Sequence, residues 1–592
     1  MDDALSACRW VVPLDREHLP ERQLIGGKGW SIAHMLSLNL PVPPAFVITT
    51  EACAAFLKEG ALPEGLEAEL EIAMAWLEKK SGRSYGHGNS PLLVSVRSGA
   101  PVSMPGMMDT VLNLGINTDT MKSLARECDD PLFARDTYRR FHELFGEIVL
   151  KTTIPELTDN ALTAWVGRIE AAAGQAMPET PMAQLIATIE AVFRSWNARR
   201  AKRYRKHHGI SDSLGTAVTI QAMVFGNLGQ DSGTGVMFSR SPLTGHPTPY
   251  GEYLRCAQGE DVVSGKYTPK DLDDMKVALP EAHAQLIQAG IVLEKANREV
   301  QDIEFTVQHG QLYLLQARTA KRSPAAAVRI AVDMVSEGII SAREALQRVT
   351  PEQVQRILSP QLAEKATEGV QVLASGQGVS HGVGVGTVVT NSDEAEHRAQ
   401  AGENVVLATA TTCPDDLHGM LVARAVVTEH GGSTSHAAVI GRALGLPSVV
   451  SCGADTVTRL EGQLVTVDGI RGIIYLGALD VITPCENQDK RLKTLLAWAR
   501  QHSPITVYRN AEAPSDTLDL DGIDEAADPA NLLNFIKGSR GIRGGSIASE
   551  EGVRAALKAS VQYIVGEPTL PILLAAIRAS ERTDDKIDKE SR

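Results

Sequence analysis

"QDIEFTVQHGQLYLLQAR", residues 301–318, reads as two β-strands joined by a glycine-containing turn. Asp302 and Glu304 are two apart in the first strand, and Gln316 and Arg318 are two apart in the second, so each pair projects from one face of its strand. A three-residue loop, Gln308-His309-Gly310, with Gly310 in the left-handed position, places both pairs on the same face. A two-residue loop places them on opposite faces. Gathered on one face, two carboxylates, an amide and a guanidinium make a site for a divalent cation and phosphate groups. Mg²⁺ is held in such sites by one or two carboxylates and the substrate's own phosphate oxygens. The competing reading is the polar outer face of an edge hairpin.

The hairpin lies in a chain of 592 residues, which at roughly 100–200 residues per domain predicts about three to five domains. Hydrophobic residues make up 43% and charged residues 22%, the balance of an ordinary soluble globular chain. A net charge of −14 argues against wholesale binding to nucleic acid or anionic membranes, but not against a phosphate ligand held by local donors. Cys8, Cys53, Cys128, Cys256, Cys413, Cys452 and Cys485 are scattered, with no metal-ligand spacing and no disulfide framework, and predict reduced thiols in the cytoplasm. The start, "MDDALSACRW", is acidic and too short in apolar residues for a signal peptide, and no run reaches the roughly 18 apolar residues of a membrane helix.

Short β-branched runs bounded by Pro and Gly, "PPAFVITT" and "PLLVSVRSG", predict strands in the first 115 residues. Residues 117–207 turn helical in their apolar spacing, and strands resume with "GTAVTIQAMVF". A helical stretch up to Thr350-Pro351 leads to a linker near 358–369. A compact α/β unit follows, with strands near 404–408, 424–428, 447–451 and 463–467. "KRLKTLLAWARQH" predicts a further helix and "PITVYRNAE" a strand, and the polar tail "SERTDDKIDKESR" predicts disorder.

Three more stretches suit phosphate. "LIGGKGWSIAHM" (24–35) sets Gly26, Gly27, Lys28 and Gly29 ahead of a helix, where glycine N–H groups and one lysine could meet an anion. "SVRSGAPVSMPGMMDTVLNLG" (95–115) ends a strand on Arg97, whose guanidinium can fork onto a phosphate. In "VFGNLGQDSGTGVMFSR" (224–240), Gly229, Gly233 and Gly235 could fold as a lid over a polyphosphate, or mark a long hairpin turn. "EHGGSTSHAAVIGRALGLPSVVSC" (429–452) then places His436 in the first turn of a helix that Gly445 and Pro447 stop, with Thr434 or Ser435 as N-cap. The partial positive charge of a helix N-terminus favours neutral, nucleophilic imidazole and stabilises the dianion formed when that imidazole takes a phosphoryl group.

Taken in order, "GGKGWSIAHMLSLNLPVPPAFVITT", "LLVSVRSGAPVSMPGMMDTVLNLG", "GNLGQDSGTGVMFSRSPLTG", "AQGEDVVSGKYTP", "QDIEFTVQHGQLYLLQARTAKR" and "GGSTSHAAVIGRALG" resemble the pyruvate, phosphate dikinase pattern over roughly residues 8–480. More distantly they resemble phosphoenolpyruvate synthase and other phosphohistidine enzymes. The resemblance implies an α/β multidomain chain: an ATP-grasp nucleotide-binding domain over 1–345 with a helical insertion at about 117–207, a helical linker over 346–370, and a swivelling β/β/α phosphohistidine domain over 371–482. It assigns contacts with ATP and its Mg²⁺ to Lys28, Arg97, Glu260, Asp302, Glu304, Gln316 and Arg318, with Asp302 and Glu304 on the metal and the glycines at 229, 233 and 235 in the lid. His436 matches the position that is charged from ATP, with phosphate taking the terminal phosphoryl group, and Thr434 matches a residue phosphorylated by a regulatory protein in some members.

The resemblance also implies a (β/α)₈ acceptor barrel of about 250 residues. Only 102 residues (592 − 490) follow residue 490, so 483–592 reads as a truncated or degenerate α/β remnant of that barrel, without the motifs that bind pyruvate. A separate barrel subunit carrying pyruvate or phosphoenolpyruvate, another small-molecule acceptor, or a nucleotide-binding regulator are the three readings this leaves.

Overall fold

The computed structural model describes residues 5 and 7–590, apart from 103, 105–107, 154–161, 264–267, 359–360, 381, 445, 483, 521–525, 527–530, 545–546 and 548. Its N-terminal part holds two five-stranded sheets. The first uses β1 (Val11–Leu14), β2 (Ala45–Ile48), β3 (Val94–Gly99), β4 (Thr110–Leu114) and β5 (Ala217–Ala222) in the order β1-β2-β5-β3-β4. Strands β2 and β5 are buried along their whole length, which is why "AFVI" and "AVTIQA" carry few polar residues. Helix α1 (Arg22–Ser37) follows β1. The interval with helical spacing folds as α2 (Thr118–Glu127), α3 (Pro131–Ile148), α4 (Leu162–Ala173), α5 (Pro181–Ser195) and α6 (Arg199–His208).

The second sheet is antiparallel: β6 (Gly233–Phe238), β7 (Tyr250–Arg255), β8 (Lys270–Asp271), β9 (Gln301–Gln308) and β10 (Gln311–Thr319), in the order β8-β7-β6-β9-β10. Helix α7 (Pro280–Asn297) packs on it, and one core joins α1, α7 and this sheet through Ile32, Met35, Leu286, Leu293, Ile303 and Phe305. The β9–β10 turn has two residues, not three: His309 and Gly310, both at positive φ, link Gln308 to its partner Gln311. Such a turn would send the two polar pairs to opposite faces. A β-bulge prevents this. Phe305 pairs with Leu314 but Glu304 pairs with Gln316, so Leu315 is the extra residue and the register shifts by one. Asp302 then faces Arg318, and Glu304 faces Gln316, across one face.

Helices α8 (Pro324–Ser336), α9 (Ala342–Arg348) and α10 (Pro351–Ile357) follow, then β11 (Gln361–Leu362). The eight-stranded sheet beyond it comprises β12 (Val372–Ser375), β13 (Gln377–Ser380), β14 (Val383–Val389), β15 (Val405–Thr409), β16 (Ala425–Thr428), β17 (Ser448–Val450), β18 (Leu464–Asp468) and β19 (Ile473–Leu476), in the order β12-β19-β18-β14-β15-β16-β17-β13. It has its own apolar core on each face, and α11 (His436–Leu444) lies on one of them. The chain leaves through β20 (Val481–Ile482), which pairs antiparallel with β11, so the two crossings into and out of this body are clasped together.

Helix α12 (Lys490–His502) opens the C-terminal segment. Its parallel strands β21 (Thr506–Tyr508), β22 (Thr517–Asp519), β23 (Gly541–Arg543) and β24 (Tyr563–Val565) stand in the order β21-β24-β23-β22, with α13 (Glu550–Lys558) before β24 and α14 (Thr569–Glu590) after it. This sheet is fused by one core to α8, α9 and α10, through residues such as Ile330, Leu346, Val354, Leu495, Ile564 and Leu573. Helix α14 extends to Glu590, in a run with no Gly or Pro after Pro571. Among the described residues no helix is long and apolar enough to cross a membrane.

Candidate active site

The two N-terminal sheets meet over the polar face of the β9–β10 hairpin. Arg318 donates from Nε to Asp302 Oδ2 at 2.8 Å. Arg97, on β3 of the other sheet, donates from Nη2 to Glu304 Oε2 at 2.9 Å and to Gln316 Oε1 at 3.2 Å. Two hydrogen-bonded groups, Arg318 with Asp302 and Arg97 with Glu304 and Gln316, thus stand side by side. Asp302 Oδ1 is buried without a hydrogen-bond partner, an arrangement that costs free energy unless something else completes it.

Lys28 reaches the same place from α1. Gly26 (φ 70°, ψ 171°) is not helical and divides α1 into a short first piece and a longer second helix, which Gly27, Lys28 and Gly29 open. A Cβ at Gly26 would stand 1.8 Å from the Gly99 carbonyl oxygen. The Gly27 N–H donates to the Ala100 carbonyl at 2.9 Å. These glycines therefore let α1 abut the end of β3, and Lys28 is the residue that the contact points into the cavity. Burial, then the neighbouring Arg97 and Arg318, lower the Lys28 ammonium to about 7, with Glu304 opposing. For Glu304, burial pushes the carboxyl up, but Arg97, Arg318 and Lys28 outweigh it and hold it below its ordinary range. Arg318 is held above the ordinary guanidinium value, chiefly by Asp302.

The cavity has a volume of about 1020 Å³, and Lys28, Arg97, Glu304, Gln316, Arg318 and His436 all line it. His436 is the first residue of α11. Its Nδ1 lies 3.3 Å from the Thr412 hydroxyl, in the loop after β15, and its Nε2 is buried with no partner. Burial lowers the imidazole to about 4, and Asp416 offsets only part of that, so the ring is neutral at neutral pH. A neutral imidazole with one nitrogen held and the other unpartnered inside a cavity of cations and carboxylates is placed to act as a nucleophile toward an anion bound there.

The eight-stranded body is held against the second sheet by Glu252 of β7. One carboxylate oxygen accepts from the Ser433 N–H and hydroxyl, both at 2.7 Å, and the other accepts from the Thr434 hydroxyl at 2.8 Å. All three residues are buried. Gly432 makes room: a Cβ there would lie 2.7 Å from the carboxylate oxygens. Neither expected N-cap hydroxyl caps α11, since Thr434 is spent on Glu252 and Ser435 Oγ has no partner.

Of the glycines expected in a lid, only Gly229 lies in a loop, at φ 83°. Gly233 and Gly235 are buried residues of β6, where a Cβ would meet the Tyr253 ring at 2.3 Å and the Glu252 carbonyl at 2.3 Å. There they allow close packing of β7 and β9, and Gly235 lines the cavity. The side chain of Glu260 lies outside the described residues. Asp302 stands behind the cavity wall, and among the described residues no group of three or more His, Cys, Asp or Glu gathers as a metal set. Glu252 and Thr412 were missed. The only signal was a carboxylate inside the buried strand "YGEYLR", whose partners are about 180 residues away.

Residues 22–72 and 57–280 match the family model "Pyruvate phosphate dikinase, AMP/ATP-binding domain", and residues 401–472 match "PEP-utilising enzyme, mobile domain". The chain is 41% identical over 532 residues to pyruvate, phosphate dikinase 2 of Oryza sativa subsp. japonica, a match that covers 84% of this chain and 60% of the relative. It is 40% identical over 544 residues to pyruvate, phosphate dikinase of Rhizobium meliloti (84% and 60%) and 37% identical over 547 residues to that of Clostridium symbiosum (86% and 62%). The chain spans about 60% of the length of these curated relatives.

Proposed function

This chain belongs to the pyruvate, phosphate dikinase family, and from that premise we propose that it is an ATP-dependent phosphotransferase charging His436. The observation that carries the reading is the presence of the His436 Nε2 in one cavity with Lys28, Arg97, Glu304, Gln316 and Arg318. ATP occupies the space between the two N-terminal sheets in an ATP-grasp manner, its phosphates against Lys28, Arg97 and Arg318. Nε2 attacks the β-phosphorus, and AMP leaves with the electron pair of the broken P–O bond. Phosphate then attacks the terminal phosphorus of the pyrophosphoryl group. Pyrophosphate leaves, and one phosphoryl group stays on His436. Held by Thr412, Nδ1 keeps the ring turned so that Nε2 faces the nucleotide.

Asp302 and Glu304 fit a divalent cation, Mg²⁺ in our reading: Asp302 has an unpartnered buried oxygen, and the pair needs only phosphate oxygens to complete a coordination shell. When bound, the ion neutralises phosphate charge. The arginines hold the two carboxylates in register across the hairpin, and Arg97 and Arg318 help to hold Glu304 below its ordinary range.

The eight-stranded body then swivels on the β11–β20 ribbon to an acceptor. We assign pyruvate as that acceptor, because the curated relatives that the chain matches are named pyruvate, phosphate dikinases. The test uses the purified chain with Mg²⁺, phosphate and ATP labelled at the β or the γ position. Acid-labile β-label on His436 with γ-label leaving as pyrophosphate is expected. Bound ATP with neither label transferred would overturn the reading.

A further inference from the structure

Gln258, in the stretch "AQGED" (257–261), lines the cavity and is only 4% exposed. Its carboxamide carries two N–H donors and an acceptor oxygen, and both Nε2 and Oε1 are buried without a hydrogen-bond partner. An amide left in that state destabilises the fold unless something bound in the cavity completes it. The backbone beneath it is fixed. The Gln258 N–H donates to Asp261 Oδ2 at 2.9 Å, and the Asp261 N–H donates to the Gln258 carbonyl at 2.9 Å. Asp261 in turn accepts from both terminal nitrogens of Arg140, on α3, at 3.0 and 3.2 Å. The helical insertion thus sets where this amide stands.

Gly259 adjoins β6: a Cβ there would stand 3.8 Å from the Thr234 hydroxyl oxygen. Thr234 pairs with Thr306 across β6 and β9, and both line the cavity. Thr306 is two residues from Glu304 on the same face of β9, a step of about 7 Å. Gln258 and Gly259 therefore border the cavity one step along from the groups that meet the phosphates. The threonine hydroxyls there are engaged already, with Thr234 donating to the Phe305 carbonyl at 3.0 Å and lying 3.2 Å from the Thr306 hydroxyl. The apolar wall of Leu112, Ala222, Met223, Val224 and Leu315 suits a flat base. In a nucleoside triphosphate the sugar lies between phosphates and base. Its chemistry also fits the amide. A phosphate offers only acceptors and would leave Oε1 unpaired, whereas a hydroxyl both donates and accepts and can satisfy either amide atom.

We propose that Gln258 is a specificity-determining residue whose carboxamide hydrogen-bonds the ribose hydroxyls of the nucleotide and so favours ribonucleotides over deoxyribonucleotides. A site built to hydrogen-bond a substrate hydroxyl discriminates against the analogue that lacks it, because the buried polar group is then left unpaired. The inference rests on the reading that ATP fills this cavity.

The experiment is calorimetric titration of the full chain with a non-hydrolysable ATP analogue and with its 2′-deoxy and 3′-deoxy forms. Wild type should bind the ribose form about tenfold more tightly than at least one deoxy form, as loss of a hydrogen bond to a buried amide predicts. In Gln258→Met, which keeps the length of the side chain but offers no amide, that ratio should fall to within twofold. The ratio is read within one variant, so a smaller folded fraction does not change it. Gln258→Glu, of the same size but without the N–H donors, should lower the ratio as well. A wild-type ratio near one overturns the assignment, and so does a wild-type ratio retained in both variants. Equal weakening of all three ligands in Gln258→Met also overturns it, because the amide would then serve the phosphates or the base. Each of these failures leaves nucleotide binding standing. No binding of any form by wild type would instead overturn the nucleotide reading itself, and this assignment with it.

Discussion

Glu252→Ala should disable charging of His436 while leaving the nucleotide site whole. In the docked arrangement the Glu252 carboxylate receives three hydrogen bonds, from the Ser433 N–H, the Ser433 hydroxyl and the Thr434 hydroxyl. Without it, docking buries three donors that have no acceptor. Each such group costs about 1–3 kcal/mol. Hydroxyls can turn toward other acceptors and the alanine leaves space for water, so a total near 3 kcal/mol is reasonable, against nothing in the undocked state, where the donors meet solvent. At 1.4 kcal/mol per factor of ten, docking weakens roughly a hundredfold. The assay is single-turnover formation of acid-labile label from β-labelled ATP, with nucleotide affinity measured in parallel. The expected result is a rate roughly a hundredfold lower at unchanged nucleotide affinity. A Ser433→Ala/Thr434→Ala variant should lose part of the same energy, and combining it with Glu252→Ala should add little, since partners in one network are not additive. Charging at the wild-type rate in Glu252→Ala would show that the carboxylate does not hold the docked state.

His436→Ala should abolish acid-labile label while ATP still binds; wild-type labelling of that variant would move the nucleophile elsewhere. Arg318→Ala should lower nucleotide affinity at least tenfold, read by titration, because it removes a phosphate donor and strips buried Asp302 of its partner. Lys28, lowered to about 7, is charged below that pH and neutral above it, so nucleotide affinity should fall as pH rises through 7; Lys28→Met should flatten that profile. His436, lowered to about 4, stays neutral down to roughly pH 5, and its protonation should slow charging only as pH falls below that, visible in the single-turnover rate. Gly26→Ala should destabilise the chain by about 3 kcal/mol or more in a denaturant titration, since its φ of 70° and the 1.8 Å approach to the Gly99 carbonyl both exclude a side chain.

The residues of the site were legible in the sequence because phosphate chemistry uses few residue types at short spacings. Lys28, Arg97, Glu304, Gln316, Arg318 and His436 all line one cavity, as motifs read separately suggested. How they come together was less legible. The two-residue turn at His309-Gly310 alone predicts a split hairpin, and the bulge at Leu315 that reunites its faces has no marker in "YLLQAR". Gly233 and Gly235 look like loop glycines until their strand neighbours, Tyr253 and Phe305, are seen to fill the space above them. Helical spacing identified the insertion of α2 to α6 because its buried face repeats locally. The order β21-β24-β23-β22 depends on pairing between strands up to about 60 residues apart, which no local period records.

The clasp of β11 on β20 has a consequence for kinetics. Because both crossings are tied to each other, His436 is carried by a short double tether rather than by two independent flexible arms. Its encounter with the nucleotide is intramolecular, with an effective concentration set by the tether and not by the amount of protein, so charging should be first order in enzyme at any dilution. The same restraint limits reach. On the proposed function, a tethered imidazole would sweep an arc of nearly fixed radius, and an acceptor for its phosphoryl group would have to be bound on that arc, close to the ribbon, rather than wherever a partner happens to dock.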